Sequence, residues 1–147
     1  MFFEDFEVGA TREFGDYKVT ADEIVEFASK YDPQPFHMSE EGGKNSHFGG
    51  LCASGWHTCA MVMHMLVGNQ MSGETGSMGS PGIDELRWTR PVYPGDTLHI
   101  RSTVLDKKES RSKPFMGTVF LQNEVFNQNG ELVLSFKPIA MYRKRNP

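Results

Sequence analysis

One apolar segment, residues 54–67, most constrains how this chain can fold. Its apolar residues, Trp56 and Met61 among them, occupy nearly every position around a helical turn. A helix that is apolar all round is buried on most of its faces. We therefore expect a curved sheet to wrap around this helix. Gly68 and Asn69 are expected to end it, because such residues favour the left-handed conformation that follows a helix.

The sequence after this segment is typical of β-structure. A loop over residues 69–82 shows no periodicity, and loops of that length are usually mobile or functional. Strands are predicted from alternating or β-rich patterns at residues 83–88, 98–104, 115–126 and 132–141. Tyr93-Pro94-Gly95-Asp96 fits a type II turn, and Asn127-Gln128-Asn129-Gly130 is a hairpin signal. Helices followed by consecutive strands indicate an α+β fold.

The region before the long helix predicts one strand and two helices. Residues 6–19 lead into and form the first strand. Thr20 and Glu23 make a capping-box pattern, and the stripe of Ile24, Phe27, Ala28 and Tyr31 then predicts an amphipathic helix that Pro33 stops. Ser39-Glu40-Glu41 can begin a short helix, which Gly42-Gly43 weakens. The closing Arg143-Lys144-Arg145 is expected to fray.

Bulk composition restricts the function classes. A chain of 147 residues with 38% hydrophobic content is expected to form a single domain over 1–147 with a real core. Its net charge of −4 gives no general attraction to nucleic acid or anionic membranes. The acidic N-terminus does not resemble a signal peptide, and no run of about 18 apolar residues is present. We expect a cytoplasmic protein whose Cys52 and Cys59 are reduced.

Asp32 and His37 are the leading candidates for proton transfer. Two prolines, Pro33 and Pro35, lie between them and stiffen the link by fixing φ near −65°. A carboxylate and an imidazole that meet a common water form an acid–base pair. From the spacing alone, a turn carboxylate and a surface histidine are the better explanation, because perturbed or paired groups are often structural; the motifs on either side of the pair favour the catalytic one.

The start of the long helix offers a second chemical feature. Ser54 and Gly55 open it, so backbone N–H groups without helical partners point out of its first turn. These groups and the positive end of the helix dipole can stabilise a developing oxyanion. The sequence thus holds a proton-transfer pair and an anion hole close together along the chain.

Three blocks of this sequence resemble a known family. They are Asp32-x-x-Pro35-x-His37, then Phe48-Gly49-x-x-x-Ala53-x-Gly55, and the segment Arg90-Pro91-Val92-Tyr93-Pro94-Gly95-Asp96-Thr97-Leu98. Together they are similar to the MaoC-like dehydratases, the (R)-specific enoyl-CoA hydratase branch of the hotdog-fold proteins. The blocks occur in the family's order, and the similarity covers nearly the whole chain. The sequence departs from the family pattern at Gln34 and Ser54.

The resemblance implies a fold, a reaction and a set of roles. The fold is a hotdog, with an antiparallel sheet of about five strands around the helix at 54–67. The reaction is reversible hydration of a trans-2-enoyl-CoA to an (R)-3-hydroxyacyl-CoA. Asp32, His37 and Gly55 are the expected catalytic residues, and Gln34, Ser54 and Trp56 are expected to bind substrate. Coenzyme A belongs to the substrate, no metal or other cofactor is expected, and hotdog proteins pair their sheet edges in homodimers or multiples of dimers.

Two other functions remain open from the sequence. One is a hotdog acyl-CoA thioesterase, although many of these use an acidic residue in the central helix and residues 54–67 contain none. The other is a non-catalytic acyl-CoA-binding protein, which the departures at Gln34 and Ser54 keep possible. No Ser or Cys has a recognisable base beside it in sequence, which leaves covalent catalysis without a candidate.

Three weaker patterns have plain structural explanations. A metal site among His47, His57, His64, Cys52 and Cys59 lacks the usual ligand spacing, and buried core residues explain it better. Lys107, Lys108, Arg111 and Lys113 are either a solvated hairpin end or a patch for the coenzyme A phosphates. The nine methionines fill a core or line an adaptable acyl tunnel.

Overall fold

A computed structural model of the chain describes residues 1–70 and 75–146. Within these residues the helices are α1 (Ala21–Tyr31), α2 (Glu40–Lys44) and α3 (Gly55–Gln70). The strands are β1 (Thr11–Lys18), β2 (Gly82–Trp88), β3 (Thr97–Glu109), β4 (Met116–Phe126) and β5 (Leu132–Arg143). Part of the loop predicted over residues 69–82 lies outside the described residues. No helix in the described ranges is long and apolar enough to cross a membrane.

The five strands form one antiparallel sheet in the order β1-β3-β4-β5-β2. Alternation along the central strands sends one set of side chains to a single face, with Leu98 and Ile100 from β3 and Val125 from β4 fully buried. Met61 and Met65 of α3 pack against this face in the main core. The sheet wrapped over a long helix confirms the predicted α+β hotdog fold.

The N-terminus covers the other end of the same sheet. Phe3 and Phe6 form a second core cluster with Val119 and Tyr142. The chain end returns to this region, where the Arg145 guanidinium donates to both Asp5 carboxylate oxygens at 3.0 and 2.8 Å. The prediction of a frayed Arg143–Arg145 tail was therefore wrong, because β5 extends through Arg143 and specific ion pairs hold the residues that follow.

Helix α3 differs from its prediction at both its end and its surface. It continues through Gly68 and Asn69 to Gln70, so these residues do not end it. It also exposes a continuous apolar stripe, because the sheet covers only one side of the helix. The stripe consists of Trp56, Ala60, Met63 and Val67. The expectation that α3 is buried on most faces was wrong for this stripe.

Helix α1 begins as predicted, but its residues are used differently. The Thr20 side chain accepts from the Glu23 N–H at 3.2 Å, which is half of the predicted capping box. The Glu23 carboxylate does not complete the box, since it accepts from the Tyr17 hydroxyl and pairs with His57. Tyr31, predicted to face the core, is 72% exposed.

Helix α2 packs so closely against its neighbours that two of its residues must be glycine. Its N-cap is Ser39, whose hydroxyl accepts from the Gly42 N–H at 2.9 Å. A Cβ on Gly42 would lie 2.1 Å from the Pro35 carbonyl oxygen, and one on Gly43 would lie 2.0 Å from the Gly50 carbonyl carbon. The glycines that weaken this helix in isolation are thus what allows it to hold the Pro35–His37 turn in place.

Candidate active site

Asp32 lies where α1 ends, and its side chain is held by two donors. Its own N–H donates to the Ala28 carbonyl at 2.9 Å as the last helical bond. Gln34 Nε2 donates to Asp32 Oδ1 at 2.6 Å, and Ser54 Oγ donates to Asp32 Oδ2 at 2.8 Å. Pro33 cannot continue the helix, so the chain turns away and leaves the carboxylate facing the start of α3.

The same two donors determine the charge of Asp32. Burial acts to raise the pKa of this carboxyl, but the hydrogen bonds from Gln34 and Ser54 and the nearby His37 outweigh it. The pKa of Asp32 therefore lies below its ordinary value, and the group is an anion at neutral pH. Asp32 lies at the C-terminus of α1, where the negative end of the helix dipole disfavours a carboxylate. The two donors offset this effect.

His37 is oriented by the backbone rather than by solvent. It ends a short 3-10 turn, Pro35–His37, and is only 6% exposed. His37 Nδ1 lies 2.6 Å from the Cys52 carbonyl oxygen. A carbonyl can only accept, so Nδ1 carries the hydrogen and Nε2 is the basic nitrogen of the neutral ring. His37 Nε2 lies 3.4 Å from Asp32 Oδ2, so the carboxylate and the basic nitrogen face one another.

His37 also contributes to stability, although it lies in a loop after a helix. Its ring packs edge-on against Phe36, with ring centroids 4.5 Å apart, and satisfies the buried Cys52 carbonyl. Truncation to alanine leaves that acceptor unpaired, which costs about 1–3 kcal/mol of unfolding free energy.

The start of α3 completes the site. The Ala53 N–H donates to the Val92 carbonyl at 2.8 Å, which ties this start to the segment before β3. Gly55 is the first helical residue, and its N–H is among those without a partner inside the helix. Trp88 lies over it, and its Nε1 donates to the Gly55 carbonyl at 2.9 Å. A Cβ on Gly55 would be 2.7 Å from the Trp88 ring, so any larger residue here displaces Trp88.

All six residues selected from the sequence line one cavity of about 450 Å³. They are Asp32, Gln34, His37, Ser54, Gly55 and Trp56. The sequence analysis did not select Phe48, Trp88 and Arg90, which line the same cavity. Arg90 forms an ion pair with Glu131 at 3.0 Å. Membership of the blocks at residues 48–55 and 90–98 was the available signal for Phe48 and Arg90, whereas nothing local marks Trp88.

The structure separates the residues of the hypothetical metal site. His57 pairs with Glu23, His47 packs on Phe48 with ring centroids 4.0 Å apart, and Cys52 Sγ lies 3.8 Å from His37 Nδ1. Across residues 1–70 and 75–146, no group of three potential ligands is placed to hold a metal ion. Both cysteines are free thiols. Burial raises the pKa of Cys52 to about 11, so its thiol remains protonated.

The predicted basic patch also lies away from the cavity. Val92, which lines the cavity, precedes β3, whereas Lys107 and Lys108 lie at the opposite end of that strand. Lys107 Nζ lies 4.7 Å from the centre of the Phe3 ring, and Lys108 Nζ lies 5.8 Å from that of Phe120. Both lysines therefore pack on neighbouring aromatic rings of the same chain.

The geometry supports one kind of chemistry well. An ionised carboxylate and a basic imidazole nitrogen share the wall of a single cavity, so one water can contact both and lose a proton to them. The N-terminus of α3 supplies backbone N–H groups on the same wall, where they can stabilise negative charge on a bound carbonyl oxygen. The addition of water to a double bond conjugated with a carbonyl can use both the carboxylate–imidazole pair and the backbone N–H groups.

Comparisons with known proteins point to one family. The family model described as "MaoC like domain" matches residues 5–125. The chain is 32% identical over 141 residues to the uncharacterized protein YdeM of Bacillus subtilis, covering 93% of this chain and 99% of that protein. It is 38% identical over 87 residues to a mesaconyl-CoA hydratase of Cereibacter sphaeroides, covering 58% of this chain but only 25% of that enzyme.

A solved structure agrees with this assignment. The crystal structure of a MaoC-like dehydratase from Rhodospirillum rubrum is 39% identical to this chain and superposes with a TM-score of 0.91. The match covers 100% of this chain and 99% of that one. The fold described above is therefore shared over the full described length.

Proposed function

Since the chain belongs to the MaoC-like domain family, we propose that it is a hydro-lyase that reversibly hydrates a trans-2-enoyl-CoA to an (R)-3-hydroxyacyl-CoA. The proposal rests on one observation. Asp32 Oδ2 faces His37 Nε2 at a distance of 3.4 Å, and both residues line the 450 Å³ cavity. The similarity to a mesaconyl-CoA hydratase supports a coenzyme A thioester as substrate.

In the proposed mechanism, Asp32 and His37 bind one water between themselves and the substrate. The Cys52 carbonyl fixes the tautomer of His37, so its Nε2 accepts a proton from the water. The resulting hydroxide adds to C3 of the enoyl group, and the electron pair of the C2–C3 double bond moves toward the thioester carbonyl. The proton taken from the water then returns to C2, so the reaction is balanced without an added reductant, oxidant or metal.

Gly55 has the second role in this mechanism. Its N–H and the positive end of the α3 dipole stabilise the negative charge that develops on the thioester oxygen. Ser54 and Gln34 orient Asp32 through the hydrogen bonds at 2.8 and 2.6 Å. Trp56 and Trp88, with ring centroids 5.4 Å apart, line the outer part of the cavity as contact surface for the substrate.

The test is turnover of enoyl-CoA substrates of graded acyl length. Hydration removes the conjugated double bond, so we expect a loss of thioester absorbance with a kcat on the order of 1–10³ s⁻¹ for the best substrate. Chiral chromatography of the product should give the (R) enantiomer, and the (S) product would contradict the proposed stereochemistry. Release of free thiol would instead identify a thioesterase, and tight binding with neither reaction would identify an acyl-CoA-binding protein.

We also propose that two copies associate through the β2 side of the sheet. β2 is an edge strand, and its Ile83 and Trp88 are 51% and 44% exposed. The apolar stripe on α3 adds further unburied surface. An open edge beside apolar side chains favours pairing with a second copy.

Light scattering at micromolar concentration is expected to give a dimer or an even multiple of it. Ile83→Lys places a charge on the edge and should shift the protein toward monomer. Val8→Lys is the matched control, because Val8 is 54% exposed but lies in the turn before β1. A folded wild-type monomer at these concentrations would contradict the proposal.

A further inference from the structure

A second polar cluster lies outside the cavity described above. His57, in the first turn of α3, is 3% exposed. Its Nε2 lies 3.1 Å from Glu23 Oε1, and the same carboxylate accepts from the Tyr17 hydroxyl. Its Nδ1 is buried and has no hydrogen-bond partner among the described residues. The proposed reaction uses none of these groups.

His57 contacts α1 in two ways. Its ring stacks on Phe27 with centroids 4.8 Å apart and planes 9° from parallel. Its Nε2 bonds to Glu23, one turn earlier on the same helix. One imidazole therefore fixes both the separation of α1 and α3 and the rotation of α1 about its axis. Two stacked rings can slide over one another, but the directional hydrogen bond from His57 to Glu23 opposes such a movement.

These two helices also carry the two halves of the candidate active site. Asp32 caps the C-terminus of α1, five residues beyond Phe27, while Ser54 and Gly55 lie at the start of α3, next to His57. The bond from Ser54 Oγ to Asp32 Oδ2, 2.8 Å long, spans the two helices. Any shift of α1 along or around α3 changes this distance directly.

We infer that His57, through its contacts with Glu23 and Phe27, is a positioning residue that sets the place of the Asp32 carboxylate relative to Ser54 and Gly55. The inference rests on the proposed hydratase function. His57 does not touch the substrate and affects the reaction only through Asp32.

The charge state of His57 is consistent with this role. Burial lowers the pKa of His57, and the Glu23 carboxylate acts in the opposite direction without reversing the shift. The ring is therefore neutral at neutral pH and donates its Nε2–H to Glu23. Since the other nitrogen is already an unpartnered buried acceptor, replacing the ring with leucine removes one unfavourable group along with one favourable bond.

The experiment compares His57→Leu, which removes the bond to Glu23, with His57→Gln, whose side-chain amide can still donate to Glu23. We expect His57→Leu to lower kcat on the order of 10–10²-fold with KM within twofold and a melting temperature within a few degrees of wild type. His57→Gln should restore most of the rate. His64→Leu, on the same face of α3 but two turns further along and exposed, is the control and should leave the rate unchanged.

A double-mutant cycle tests whether His57 acts through Asp32. In the Asp32→Asn background, His57→Leu should lower the residual rate by less than twofold, because the carboxylate it positions is gone. A loss of the full 10–10²-fold in that background would overturn the inference. Unchanged kcat in the single His57→Leu variant would overturn it as well.

A carboxyl titration followed by NMR separates this inference from the proposed function, because it needs no substrate. Loss of the Ser54 hydrogen bond in His57→Leu should raise the pKa of Asp32 relative to wild type, whereas His64→Leu should not. An unchanged Asp32 titration in His57→Leu would show that Asp32 had not moved and would refute the positioning role. A protein that hydrates no enoyl-CoA but shows the pKa shift would refute only the hydratase proposal.

Discussion

Asp32→Asn should lower kcat on the order of 10²–10⁴-fold, the usual range for a positioned acid or base. The amide keeps the size of the carboxylate but lacks the negative charge that holds the water and stabilises the proton on His37 Nε2. Asp32 is partly exposed and lies after the end of α1, so the melting temperature should change little. Kinetics with the best enoyl-CoA substrate, accompanied by thermal melts, measure both quantities.

His37→Asn is the matched change for the other half of the pair. Asparagine can place a donor near the position of His37 Nδ1 and keep the Cys52 carbonyl satisfied, while the basic nitrogen is lost. His37→Ala removes both and should lower stability as well as rate. Comparing the two variants separates the loss of the base from the loss of the buried hydrogen bond.

The two losses should not add. In the proposed mechanism Asp32 and His37 act on the same water in the same step, so the Asp32→Asn, His37→Asn double variant should be about as slow as the slower single variant. A hydration rate that survives Asp32→Asn within a few-fold would remove this pair from the mechanism. In that case the similarity to hydratases would be one of fold.

Gly55→Pro should lower kcat by about 10²-fold or more, because it removes the N–H that we propose stabilises the thioester oxygen. Proline is accepted in the first turn of a helix, but its Cβ meets the Trp88 ring at 2.7 Å. Gly55→Ala creates the same contact and retains the N–H. The ratio of the two rates therefore isolates the hydrogen-bond donor from the displacement of Trp88.

Equal activity of folded Gly55→Pro and Gly55→Ala proteins would exclude the Gly55 N–H from catalysis, whatever the absolute rates. Circular dichroism should verify that α3 is intact in both variants. If Gly55→Ala alone removes all activity, the position of Trp88 over Gly55 is itself required, and the Trp88 Nε1 bond to the Gly55 carbonyl becomes the feature to vary.

The sequence alone predicted the elements that local chemistry determines. The alternation in β3 and β4 allows only one face to be buried, the Gly95 turn and the Gly130 hairpin have strong local signals, and Ser39 and Thr20 are side-chain caps. Asp32, His37 and Gly55 were selected because short-range spacing and family motifs mark them. Such signals depend on residues a few positions apart, so they can be recognised without knowledge of the tertiary structure.

The tertiary structure decided which groups meet across the chain. Ser54 donates to Asp32, which is 22 residues away, and Trp88 donates to the Gly55 carbonyl from 33 residues away. The Cys52 carbonyl selects the tautomer of His37. The tertiary structure also turned Glu23 from a cap into a partner of His57. No local pattern contains these pairings, because hydrogen-bond distance and burial depend on how helices and strands pack rather than on separation in sequence.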